Sequence, residues 1–160
     1  MTIDKDAEQL RALGYESTFD LSGTFTQAYV SSPNANAIAS GINPGSRVLS
    51  VPKYTGTAAL NYTTPFTDTL NGVFHLGSAL VGPSDDQAAV RQQLASYNLV
   101  DARAGVASGP WQASLFGTNL TNKQALLTIN NTIFAWQTFA ITRVSTNQPR
   151  TIGLDFAYKF

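Results

Sequence analysis

Cysteine is absent from all 160 residues, so the chain can build neither a disulfide framework nor a thiolate metal site. Charge is scarce as well: charged residues make up 12% of the chain, with ten basic and ten acidic residues and a net charge of zero. A soluble domain carries about twice that charged fraction. No basic run or stripe is available to neutralise phosphates, which excludes nucleic acid as a partner. His75 is the single histidine, and one imidazole without a second His or a Cys makes no credible transition-metal site. No apolar run approaches the roughly 20 residues of a membrane-spanning helix. The opening Met1-Thr2-Ile3-Asp4-Lys5-Asp6 is acidic and lacks an apolar stretch, so no secretory signal is expected there and an exported protein would carry it elsewhere. Catalytic signatures are missing too: there is no nucleophile elbow, phosphate-binding glycine loop or paired Ser and His, and the acids are scattered. Neither an enzyme nor a cofactor is expected. Asp85 and Asp86 have no spaced oxygen ligands after them, and a solvated loop is the expectation for both.

What the chain does contain is a period of two. In its last nine residues Ile152, Leu154, Phe156, Tyr158 and Phe160 alternate with Gly153, Asp155, Ala157 and Lys159. That spacing places the first set on one face of a strand and the second on the other. Ends of soluble chains usually turn polar and fray; a strand apolar on one face to its last residue fits the closing strand of an outer-membrane β-barrel.

Five earlier segments obey the same parity. The first spans about Tyr15 to Tyr29, with Tyr15, Phe19, Leu21 and Phe25 on its apolar row. The second spans about Arg47 to Thr63, with Tyr54, Ala58, Leu60 and Tyr62 on that row, and the third Thr69 to Val81, with Leu70, Phe74, Leu76 and Leu80. The fourth, Tyr97 to Ala107, presents Val100, Ala102, Ala104 and Val106. The fifth, Pro110 to Asn119, presents Trp111, Ala113 and Leu115, with Phe116 out of pattern, and the sixth begins near Arg150. Every charge within them falls on the polar row: Glu16, Asp20, Arg47, Lys53, Asp101, Arg103, Asp155 and Lys159. An Arg or Lys on a lipid-facing row costs about 2–4 kcal/mol near the bilayer midplane, which accounts for such segregation. The polar row is mostly Thr, Ser, Asn and Gln, as suits a crowded, hydrated interior.

Connections alternate in length, another trait of transmembrane barrels. Thr64–Asp68 and Ser108-Gly109 are short, whereas Val30–Gly45, Gly82–Ala95 and Leu120–Pro149 are long. Tyr15, Tyr62, Trp111 and Tyr158, with Phe160, sit on the apolar row near the ends joined by the short turns. Rings with a polar edge prefer the headgroup level, so these residues are the expected aromatic girdle. The fold class expected is all-β: an antiparallel transmembrane β-barrel segment of six strands, hence an incomplete barrel.

Several stretches resemble one family. Leu99-Val100-Asp101-Ala102-Arg103-Ala104-Gly105, then Trp111, then Leu115-Phe116-Gly117-Thr118-Asn119-Leu120-Thr121-Asn122-Lys123 resembles the penultimate hairpin of TonB-dependent outer-membrane receptors. Gln148-Pro149-Arg150-Thr151 through Phe160 resembles the family's final strand, and Val51-Pro52-Lys53-Tyr54 with Leu60-Asn61-Tyr62 an earlier one. The resemblance covers residues 15–160, leaving 1–14 as a short polar segment. It implies the carboxy-terminal part of a receptor of about 22 strands that takes up a scarce nutrient such as a metal chelate. The expected location is the bacterial outer membrane. The implied partners are outer-membrane lipid, the barrel-assembly machinery, the missing amino-terminal barrel and plug and, only through that plug, the inner-membrane TonB system. Ile152, Leu154, Phe156, Tyr158 and Phe160 resemble the family's barrel-assembly signal.

On the polar row, His75, Asp101 and Arg103 are expected to line the interior, the last two as an ion pair. Phe134, Trp136 and Phe139 make the longest connection unusually apolar and are candidate ligand contacts outside the membrane, the competing expectation being an extension of the flanking strands. Asn130-Asn131-Thr132 matches a glycosylation sequon that would mean nothing in a bacterial barrel. The alternative reading of the whole chain is a small antiparallel β-barrel, soluble or porin-like, that binds a ligand inside and, if soluble, turns its apolar row inward.

Overall fold

The computed structural model describes residues 13–86, 92–132 and 141–160. Six long strands are β1 (Glu16–Phe25), β2 (Tyr54–Thr67), β3 (Leu70–Val81), β6 (Tyr97–Ser108), β7 (Trp111–Thr118) and β10 (Thr151–Tyr158). They form one antiparallel sheet in the order β1-β2-β3-β6-β7-β10. The sheet is open: β1 and β10 are its edges. The long connections carry a helix, α1 (Ala35–Ala39), and two small hairpins. These are β4 (Ser84–Asp85) with β5 (Gln93–Leu94), and β8 (Leu126–Thr132) with β9 (Ile141–Thr146). The all-β antiparallel expectation and the count of six long strands are therefore met.

Strand ends differ from expectation where proline and turn chemistry intervene. The first strand closes at Phe25 rather than Tyr29, although Thr26 N–H still donates to Lys53 O at 2.9 Å and Tyr29 bridges Arg47. The second begins at Tyr54 rather than Arg47, just past Pro52, which has no N–H to give a ladder. It runs on to Thr67, absorbing most of the expected Thr64–Asp68 turn. Pro65 is tolerated because the register shifts between Pro65 and Thr67, the irregularity at which a sheet accommodates proline. The connection Leu120–Pro149 does not extend β7 and β10; its strands pair with each other as a separate hairpin.

Register carries the apolar parity across all six strands. Residues directly opposite in an antiparallel ladder share a face. One row reads Phe19, Leu60, Leu76, Ala102, Gly117, Ile152. The neighbouring row reads Thr18, Asn61, His75, Arg103, Phe116, Gly153. Phe116 thus keeps parity and is an aromatic on the polar face, opposite Gly153.

Among the described residues no layer of protein covers the apolar face. Leu154 is 84% exposed and Leu21 74%, and Phe19, Leu76, Leu115, Ile152 and Phe156 are exposed too. Among the described residues the buried hydrophobic side chains are Leu94 and Ala125, both in the long connections. A water-soluble sheet buries one face against another layer; the described residues supply no such layer here.

Glycines mark close approaches within the sheet. Phe116 lies over Gly153 and Phe66 over Gly72, each placed so that an added Cβ would sit 2.6 Å from the ring. At Gly105 the obstacle is backbone: a Cβ would meet Ala113 O at 2.5 Å and Ser114 Cα at 2.8 Å. Gly105→Ala should therefore cost about 1–3 kcal/mol, as overpacking does. Gly56→Ala, whose Cβ would meet Ser22 O at 3.5 Å, should stay within about 0.5 kcal/mol. Denaturant midpoints of the two folded variants would check the contrast.

Candidate functional site

Three groups of side chains stand out: a ring cluster on the apolar face, a polar chain on the opposite face, and a knot at the long-connection end. The ring cluster forms where β7 begins and β10 ends, because Trp111 and Tyr158 are register partners. Their ring centroids lie 4.4 Å apart, Trp111 and Phe156 are 5.1 Å apart, and Tyr158 and Phe160 meet edge-on at 5.2 Å. Tyr62 and Phe74 make a second pair at 6.1 Å. Tyr15 adjoins the first residue of β1 at the same short-turn end of the sheet.

On the polar face, cross-strand neighbours bond in sequence. Asn61 Nδ2 donates to Thr18 Oγ1 at 3.1 Å, and Asn61 Oδ1 accepts from His75 Nδ1 at 2.7 Å. Arg103 lies with its guanidinium 5.9 Å from the centre of the Phe116 ring and pairs with Asp155 at 3.2 Å. The expected ion pair between Asp101 and Arg103 is therefore not formed. Residues two apart on a strand are about 7 Å apart, whereas Arg103 reaches β10 over the ring of Phe116. Asp101 instead accepts the Asn119 N–H at 2.8 Å. His75, Asp101 and Arg103 do share the polar face, as expected. The Arg103–Asp155 pair is half-exposed and contributes about 0.2–1 kcal/mol. Nothing in this row pairs a nucleophile with a base, and no group of three metal-ligating side chains occurs among the described residues.

The knot lies where β7 hands over to the long connection. Asn119, 4% exposed and at φ 49°, spends its whole carboxamide on backbone. Its Nδ2 donates to Lys123 O at 3.0 Å and Gln148 O at 2.9 Å, and its Oδ1 accepts from Lys123 N at 2.9 Å. Asn147 completes the arrangement, donating to Lys123 O at 2.8 Å and accepting from Ala125 N at 2.7 Å. Asn122, also at φ 49°, accepts from Arg150 N at 3.2 Å. The two ends of a 30-residue connection are thus tied by three asparagines. Asparagine suits this work because it tolerates the left-handed region and carries both a donor and an acceptor. The motif was visible in Asn119-Leu120-Thr121-Asn122-Lys123; its partner Asn147 was not, since nothing in spacing announces a bond to Lys123 from 24 residues away.

Asp86 departs from the solvated loop expected of it. It is 7% exposed, lies within 3.2 Å of Ser50 Oγ as acceptor, and accepts the Ile129 N–H. It thereby pins the β8–β9 hairpin to two other connections. The expected ligand contacts Phe134, Trp136 and Phe139 lie outside the described residues.

No protein-family model, curated protein or solved structure matches this chain.

Asn119→Ala removes three hydrogen bonds and puts a residue with a Cβ but no capping group at positive φ. A loss of about 2–4 kcal/mol is expected. Limited proteolysis should then cut within 120–149 well before the six-stranded sheet, whereas Arg103→Ala should leave the cleavage rate within about twofold.

Proposed function

We propose that the apolar face of this sheet contacts lipid. On that reading the chain forms the carboxy-terminal wall of an outer-membrane β-barrel of the TonB-dependent receptor type, which in the intact receptor takes up a scarce nutrient. One observation carries the reading: an unbroken apolar face spanning six strands is covered by none of the described residues, while Glu16, Asp20, Asp101, Arg103 and Asp155 all lie on the other face. In water such a face is an aggregation surface; against hydrocarbon it is at rest.

The stagger of the strands supports the same reading. Ile152, at the top of β10, shares a hydrogen-bond row with Phe19, six residues short of the Phe25 that ends β1. Six residues over five strand steps is about 20 Å along against about 24 Å across, a tilt of about 40°. Tyr62 and Trp111 give a second estimate. Tyr62 shares a row with Leu115, so Trp111 lies four residues lower and three strands over. The two come level at a tilt of about 42°. Transmembrane barrels tilt their strands by about 35–45°. At that tilt Phe19, Phe74, Tyr158 and Phe160 fall within about 3 Å of the Tyr62 and Trp111 level. Tyr62 and Trp111 define this belt, Tyr158 falls within it, and Tyr15 lies about 8 Å below it. The polar face, with its Thr–Asn–His row, then lines a hydrated interior.

Folded into vesicles, Trp111 should be quenched strongly by lipids brominated near the headgroup and weakly by soluble quenchers. Equal access to soluble quencher with and without lipid would refute membrane contact. Leu154→Arg should weaken insertion by about 2–4 kcal/mol, whereas Asp155→Asn, one residue away on the other face, should change it by less than about 1 kcal/mol.

A further inference from the structure

A trough of about 370 Å3 lies over β6 on the apolar face. Its floor is Ala102 and Ala104; Phe74 and Leu76 wall it on one side, Leu115 and Ile152 on the other. The sequence of β6 explains the depression. This strand presents Val100, Ala102, Ala104 and Val106 on the apolar face, and short side chains between tall ones leave a gap. His75 and Arg103 border the trough through their main chain, because their side chains are engaged on the polar face with Asn61 and Asp155. Among the described residues that line it, Tyr62 alone carries a polar group on this face.

We infer that the trough seats one acyl chain of a phospholipid from the leaflet on the short-turn side. Its headgroup lies at the Tyr62–Trp111 level and its methyl end against Leu120. The inference rests on the membrane reading above and adds a bound partner to it. Direction supports it first. The strands tilt by about 42°, yet the trough does not follow them. It passes from Ala104 on β6 to Gly117 on β7, one strand over and two residues higher. At that tilt Ala104 stands about 6 Å and Gly117 about 15 Å beyond the Tyr62–Trp111 level, with about 1 Å of sideways drift between them. The line joining them is within about 10° of the bilayer normal, the mean direction of an acyl chain. Its far end lies where one leaflet's half of a hydrocarbon core of about 30 Å stops.

The trough is closed at that end. A Cβ added to Gly117 would sit 2.5 Å from Leu120 Cδ2, so the Leu120 side chain lies across Gly117 on the apolar face. Leu120 is held there by its own N–H, which donates to Val100 O at 2.7 Å, and by Asn119 before it with its carboxamide fully bonded. The asparagine knot at the long-connection end thus sets the depth of a seat within the hydrocarbon. Chemistry selects the occupant. An extended peptide would bring N–H and C=O groups that these walls leave unsatisfied, at several kcal/mol each. A helix of about 10 Å diameter is too broad for a floor one strand, about 5 Å, wide. A hydrocarbon chain needs no polar partner and makes the wall contacts that a gap would forfeit. The trough is centred on β6, at least two strands in from β1 and β10, so strands added at either edge leave it in place.

Extraction from phosphatidylcholine vesicles in mild detergent, followed by native mass spectrometry, reads the lipid retained on each chain. One retained phosphatidylcholine is expected. Ala104→Leu, apolar and on a lipid-facing row, fills the floor and should lower the retained fraction at least about fivefold. Leu154→Ala, on the same face but outside the trough, should leave it within about twofold. Leu120→Ala removes the end stop. In vesicles of mixed dilauroyl and dipalmitoyl phosphatidylcholine it should raise the retained ratio of the longer lipid several-fold. Trp111 quenching by headgroup-brominated lipid, read on the same samples, separates this inference from the membrane reading. A quenched Trp111 with no retained lipid, or with retention that Ala104→Leu leaves unchanged, refutes the seat and leaves membrane contact standing. A Trp111 open to soluble quencher refutes both, and a chain-length preference that Leu120→Ala does not move overturns the end stop.

Discussion

Antiparallel pairing puts opposite residues on one face, and from Phe19 to Ile152 the ladders of this sheet hold a single parity. A slip of one residue between any two strands would turn every side chain of the strands beyond it to the wrong face. The consequences run outward from there. The apolar face stays continuous, the charges stay together on the other side, and Arg103 can reach Asp155 across the ring of an intervening strand. Proline enters β2 only near its end, where the register already shifts.

The two faces answer to different forces. The apolar face has almost no protein contact to hold it, so whatever covers it supplies most of the free energy of folding, and hydrocarbon is the proposed cover. The polar face is held by individually modest bonds, from Thr18 through Asn61 to His75. Real tertiary packing is concentrated at the long-connection end. There Asn119 and Asp86 are buried with their polar atoms bonded, and Leu94 and Ala125 are the buried apolar side chains among the described residues. A buried amide or carboxylate with its partners removed costs more than an exposed pair gains, so this end orders its loops through a few asparagines.

Much of the sheet was legible beforehand, because period two is a local property and each strand declares it by itself. Strand number, facing and the segregation of charge followed from alternation alone. Phe116 defied the local rule because its place depends on a neighbour: opposite Gly153 there is room for a ring on the polar face. The Asp101–Arg103 pairing misled for a similar reason. Sequence distance counted two residues as neighbours, while the register offered Arg103 an acid on β10 and gave Asp101 a backbone N–H. Asp86 read as a solvated loop residue because nothing near it in sequence shows that Ser50 and Ile129 converge there.

The sequence by itself determined which side chains are apolar, which rows they occupy and that the rows belong to strands, since these depend only on alternation and composition. Tertiary structure decided the stagger between strands. That stagger puts Asp155 rather than Asp101 within reach of Arg103. It also decided that the ends of the longest connection meet, because hydrogen bonds between residues 28 apart are a matter of position in space. The strand-to-strand offset is the sum of five ladders and several turns, and no single segment of the chain contains it.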